Sequence, residues 1–114
     1  MKDLPDEFLR GIHLFNEARF FECHEAWETA WLKAEGVERE FLHAIIQAAA
    51  ALHHFQRGNL KGFRSVGQRV LGKLKVMPEQ VMRLNTIKLR SSLESFLTQP
   101  GNLFPHIELL PENP

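Results

Sequence analysis

Several side chains that can move protons or hold a cation crowd one short run. In FFECHEAWETAWLKA, Phe20 to Ala34, His24 and Glu28 stand one helical turn apart, with Glu25 beside them and Cys23 just ahead. An imidazole and a carboxylate at i and i+4 project together. That pair suits acid–base chemistry, a charge-assisted hydrogen bond, or two ligands to a divalent cation. A second run adds Arg39, Glu40, His43, Gln47 and His53. Glu40 and His43 supply another carboxylate and imidazole, but the di-iron bundle pattern needs such a motif twice. There is no HExxH and no paired-cysteine zinc pattern. The candidate metal set is therefore His24, Glu28 and His43, for a divalent ion.

The helix that carries the first run must position these groups. At about 100° per residue, Phe20, Trp27 and Trp31 form one edge of an apolar face, and Phe21 and Leu32 form the other. His24 and Glu28 are predicted to lie between those edges, in the middle of the buried stripe. Glu22, Ala26, Thr29 and Lys33 are predicted to face water. A buried charge must be paired, so Glu28 is expected to be held by Arg39 or a histidine. Cys23 is read as a small core residue rather than a nucleophile. Both tryptophans are read as core.

Four more helices are expected around this one. Leu4 to Asn16 precedes it, with Pro5 suited to a first turn. Gly36 is expected to stop it in a left-handed conformation. Val37 to Arg57 follows as the most buried element, ending at Gly58-Asn59. Leu60 to Val76 carries Gly62, Gly67 and Gly72, which make sense only where tight packing compensates. Glu79 to Leu84 is expected to be a short turn of helix, and Asn85 or Thr86 can cap a last helix to about Leu97. No strand is expected. The short loop at Glu35-Gly36 makes helices two and three antiparallel neighbours, which sets Glu28 level with His43 and His24 level with Gln47. The fold class is all-α, an antiparallel bundle of about five helices stacked as hairpins over residues 1–98. Residues 99–114 hold four prolines together with Leu103, Phe104, Ile107, Leu109 and Leu110. They are read as an extended arm packed on the body or on a partner.

Composition bounds the function classes. The chain has 114 residues, 44% hydrophobic and 25% charged, which suits one soluble domain. A single cysteine forms no intramolecular disulfide, and the N-terminal MKDLPDEF lacks the apolar run of a signal peptide, so a cytoplasmic setting is expected. The longest apolar stretch, Ala48 to Leu52, is too short to span a bilayer. Net charge is zero, but Phe41 to Pro78 holds Arg57, Lys61, Arg64, Arg69, Lys73 and Lys75 and no acid. With no nucleic-acid motif beside it, this segment is expected to dock on the acidic first half of the chain. Specific nucleic-acid binding is not expected.

Three roles are open for the polar cluster: a hydrogen-bond network that fixes helix register, a metal site, or an acid–base or ligand pocket. The function these suggest is a module that binds a protein or small ligand, with a second copy of the chain among its partners. The alternative is a small metal-dependent or acid–base hydrolase-type enzyme using the same cluster.

The run F-N-x-A-x-F-F-E-C-H-E-x-W-E-x-x-W, Phe15 to Trp31, resembles the signature of domain-of-unknown-function family 309. The similarity continues through Arg39, Phe41-Leu42, Ile45-Ile46-Gln47, the alanine run, Leu52-His53 and Gly58-Asn59. It implies a small all-helical bundle of bacterial or archaeal type, with no biochemical activity attached. The motif positions it carries over are His24, Glu25, Glu28, Trp31, Arg39, Gln47, His53 and Asn59. Where the family often has a glutamine followed by glycine, this chain has His43-Ala44, so the resemblance favours Arg39 and His53 over His43.

Overall fold

A computed structural model describes residues 3–111. Five helices follow in order: α1 (Asp6–Asn16), α2 (Phe20–Lys33), α3 (Gly36–Gln56), α4 (Leu60–Lys75) and α5 (Thr86–Thr98). Each helix packs chiefly on its neighbours in sequence, as short antiparallel connections require. The chain is therefore an all-α bundle of stacked hairpins. Among the described residues no helix is long and apolar enough to cross a membrane.

α3 is buried around most of its circumference, through Phe41, Leu42, Ile45, Leu52 and the alanines 44, 48, 49 and 51. Small side chains there let neighbouring helices come close. α1 makes room differently. A Cβ on Gly11 would lie 2.2 Å from Trp27 Nε1, so only glycine lets the fully buried indole rest on the α1 backbone. The indole N–H donates to the Phe8 carbonyl oxygen at 3.0 Å, which satisfies a polar group that burial would otherwise make costly.

α2 is turned relative to the sequence expectation. Its buried residues are Phe20, Cys23, Ala26, Trp27 and Ala30. Phe21 is 56% exposed and Leu32 67%, while Glu28 faces solvent and His24 is half-buried. The buried arc is centred about 120° away from the stripe traced through the large apolar residues. Close packing selects shape as well as hydrophobicity. Cys23, Ala26 and Ala30 permit close approach of neighbouring helices, and Phe21 and Leu32 are left outside.

Between α4 and α5 the chain forms a minimal hairpin rather than a turn of helix. β1 (Gln80–Val81) and β2 (Leu84–Asn85) pair antiparallel, Gln80 with Asn85 and Val81 with Leu84. Met82 and Arg83 both have positive φ, 51° and 61°, as a two-residue hairpin turn demands. Neither is glycine, so the turn is held from outside. Met82 is buried, and Arg83 exchanges two hydrogen bonds with Leu110 of the arm, at 2.7 and 2.9 Å.

The arm as far as residue 111 lies on the body of its own chain, and residues 112–114 of the expected arm lie outside the described residues. Asn16 Nδ2 donates to the Ile107 carbonyl, and Ile107 N–H donates to Asn16 Oδ1, both at 2.8 Å. Phe104 reaches into an aromatic cluster, its ring centroid 5.2 Å from Phe20, 5.2 Å from Phe96 and 6.0 Å from Phe55. Of the three weak-looking glycines in α4, Gly67 meets Leu97 and Gly62 meets His54 and Asn59. Among the described residues nothing around Gly72 explains it.

Candidate binding face

α2, α3 and α4 lie side by side, with α3 in the middle. Its outward ridge is His43, Gln47, Ala50 and His54, none of them fully buried. The sequence-predicted site residues gather along this ridge and the α2 edge, but in separate groups rather than one network.

His24 Nδ1 lies 3.5 Å from Glu28 Oε2, so the i,i+4 pair forms on one helix. It is open to water, with side chains 35% and 53% exposed. Of the two partners expected for Glu28, Arg39 or a histidine, the structure gives the histidine. Arg39 instead lays its guanidinium over the Trp31 ring, 4.0 Å from the centroid. From there it donates to the carbonyls of Trp31 at 3.1 Å and Ala34 at 3.4 Å. Carbonyls at a helix C-terminus lack partners within their own helix, and a cation there complements the dipole. Arg39 thus closes the end of α2 and keeps Trp31 half-buried rather than in the core.

Lys73 of α4 takes the remaining pair. Its ammonium donates to His43 Nδ1 at 2.8 Å and to Gln47 Oε1 at 2.9 Å. An ammonium only donates, so His43 Nδ1 is the acceptor in this contact. Sequence reasoning counted Lys73 only among the basic residues. The signal was its place on the strip Gly62, Val66, Arg69, Lys73, one face of α4 at helical spacing. The other bases of this segment, Arg57, Lys61, Arg64, Arg69 and Lys75, stand in solvent and do not dock on the acidic half.

His53 sets its ring 5.7 Å from that of Phe21. Asn59 caps α4, its Oδ1 accepting from Gly62 N–H at 3.0 Å, with Nδ2 near His54 Nδ1 at 3.2 Å. That is a folding role. Glu25 is exposed beside His24 and Glu28, and with Phe21, Thr29 and Leu32 they line a shallow depression of about 410 Å³. No three His, Cys, Asp or Glu side chains come together as an ion site among the described residues. The set His24, Glu28 and His43 is not assembled, because His43 faces the Lys73 ammonium. Cys23 is fully buried, and burial pushes its thiol up, away from the thiolate, so it is no nucleophile.

Two comparisons bear on this face. An uncharacterized protein of Aquifex aeolicus (strain VF5) is 29% identical over 87 residues, which is 75% of this chain and 26% of that protein. The chain thus spans about a quarter of that relative's length. The second is a family pattern matched by residues 8–66, a stretch that begins on the buried face of α1 and takes in every motif residue from His24 to Asn59. The match covers more than half of the chain, and on it the protein belongs to the family described as Domain of unknown function (DUF309).

Proposed function

We propose that this protein is a protein-binding module and that the outward face of α2, α3 and α4 is its docking surface. The observation that carries this reading is the pair Phe21 and Leu32, 56% and 67% exposed on the same side of α2 as Glu25 and Glu28. The core closes without them. Large apolar side chains beside exposed charges are the usual make-up of a docking patch. Half-buried Trp31 and the His43–Lys73 group extend the patch across α3.

An acid–base enzyme on the same residues is less well supported. His24 and Glu28 have the right groups for proton transfer, but their depression is open and shallow. General acid–base catalysis works best where a substrate can be held away from water.

The test is site-specific photocrosslinking in living cells. A photoreactive side chain at position 25 is expected to give one discrete adduct. The same group at exposed Ser91 on α5 should give none, and Phe21→Ser should abolish the adduct from position 25. Equal, diffuse labelling from both positions would overturn the docking reading.

A further inference from the structure

The occupant of this face follows from how charge is laid out on it, and the inference rests on the docking reading above. We propose that the face binds a second copy of the chain, about a twofold axis running close to the direction of α3.

Two strips border the α3 ridge. On α2, Phe21, Glu25, Glu28 and Leu32 recur at intervals of four, three and four, and all four are exposed. On α4 and its C-cap, Val66, Arg69, Lys73 and Val76 recur at three, four and three. Lys73 is fixed on the ridge by His43 and Gln47, and Gly62, one turn before Val66, lies against His54. This strip therefore runs along the far side of the same ridge. Each strip reads apolar, charged, charged, apolar. The charges are acidic on α2 and basic on α4.

Both helices run antiparallel to α3 and hence parallel to each other. A twofold axis along α3 places α2 of one copy on α4 of the other with direction preserved. With the axis inclined slightly to α3, Phe21 comes opposite Val66, Glu25 opposite Arg69, Glu28 opposite Lys73 and Leu32 opposite Val76, and each contact occurs twice. A closed isologous pair requires this kind of self-complementary patch. An axis across α3 in the same plane would set α2 on α2, carboxylate against carboxylate. Within one copy, Trp31 and Lys73 both neighbour His43, so the pairing needs a slide of about three residues, under one helical turn. A small inclination of the axis to α3 supplies it. Lys73 uses two of its three N–H donors within its own chain, leaving one for Glu28 of the second copy.

Sedimentation velocity on the full chain tests this with one facing pair, both members exposed. Wild type is expected to be a dimer that weakens with salt. Glu25→Lys alone and Arg69→Glu alone should each weaken it by about tenfold or more, since each places like charges opposite one another twice. An equal mixture of the two variants should recover a dimer, and so should the double variant in one chain. Mixing rescues only folded proteins, so recovery excludes damage to the fold. A monomeric wild type, or variants that mixing does not rescue, would overturn the self-docking geometry. Failures of the two readings separate in the crosslinking experiment. An adduct of a mass other than twice the chain removes the second copy and leaves the docking face. No adduct removes both.

Discussion

The two sides of α2 both carry large apolar residues and do opposite work. The inward side carries Phe20, Cys23, Ala26, Trp27 and Ala30, and the outward side carries Phe21, Glu25, Glu28 and Leu32. Each holds large apolar groups. What separates them is the company those groups keep. Inside, Trp27 has a glycine cut to fit it on α1 and a carbonyl for its N–H, and alanines and a cysteine let neighbouring backbones approach. Outside, Phe21 and Leu32 flank two carboxylates for which, among the described residues, His24 is the one side-chain partner. Burial in a small bundle is decided by fit among neighbours, and hydrophobicity alone does not choose the side.

The inward side should break most readily. Trp27→Ala removes a fully buried indole and its hydrogen bond, and is expected to cost about 3–5 kcal/mol. That approaches the whole stability of many small domains. Gly11→Ala adds a single methyl on a different helix, yet it cannot coexist with the indole where it lies. Overpacking of this kind costs about 1–3 kcal/mol. Urea midpoints check both. A Gly11→Ala protein as stable as wild type would show that Trp27 does not rest on α1.

Most of the architecture was legible in the sequence. Helix order, the stop at Gly58-Asn59 and the breaker at Pro78 rest on local chemistry, which a single chain displays; Gly36 is left-handed as expected, but it opens α3, and α2 already ends at Lys33. The facing of α2 is not legible in its sequence, because small residues carry little signal in a hydrophobic pattern. Ala26 reads as solvent filler, and only a neighbouring helix makes an alanine a core residue. The hairpin at Met82-Arg83 was hidden for a related reason. Its positive φ angles are unfavourable for those residues and are held by Leu110, which lies 27 residues away from Arg83. The site was legible in part. His24 and Glu28 do meet, as their spacing requires, but the partners of Arg39 and His43 were set by a helix end and by Lys73. Neither can be read from either helix alone.

A middle-sized effect concerns Cys23, on the inward side. Burial pushes its thiol well above its ordinary value of 9.0. The sign follows from linkage. Below that value both folded and unfolded chains keep the proton, and the contribution to stability is intact. Above it the unfolded thiol ionises and the folded one does not, so stability falls as pH rises, by about 1.4 kcal/mol per pH unit. Comparing wild type with Cys23→Ala in urea from neutral to alkaline pH isolates this slope, whatever the small cavity costs. Parallel slopes would place Cys23 in contact with solvent and blur the contrast between the two sides of the helix.

The smallest effect is the sharpest test of the contrast. If Glu28 were buried and paired, as the periodicity of large residues suggests, Glu28→Ala would cost about 3–5 kcal/mol by leaving a partner uncompensated. Its side chain is instead 53% exposed, with His24 at 3.5 Å. Exposed i,i+4 pairs contribute about 0.3–0.5 kcal/mol, and alanine's better helix propensity offsets part of that. Glu28→Ala is therefore expected to unfold within about 0.5 kcal/mol of wild type, and Glu28→Gln within the same margin. The two alternatives differ by several times the error of a urea midpoint. A loss of several kcal/mol would return Glu28 to the core and take the docking face with it. A neutral result leaves a carboxylate that folding does not need, on a strip where it can meet a lysine of another copy. The same samples then answer the remaining question in the centrifuge, where a variant with unchanged stability should still associate more weakly than wild type.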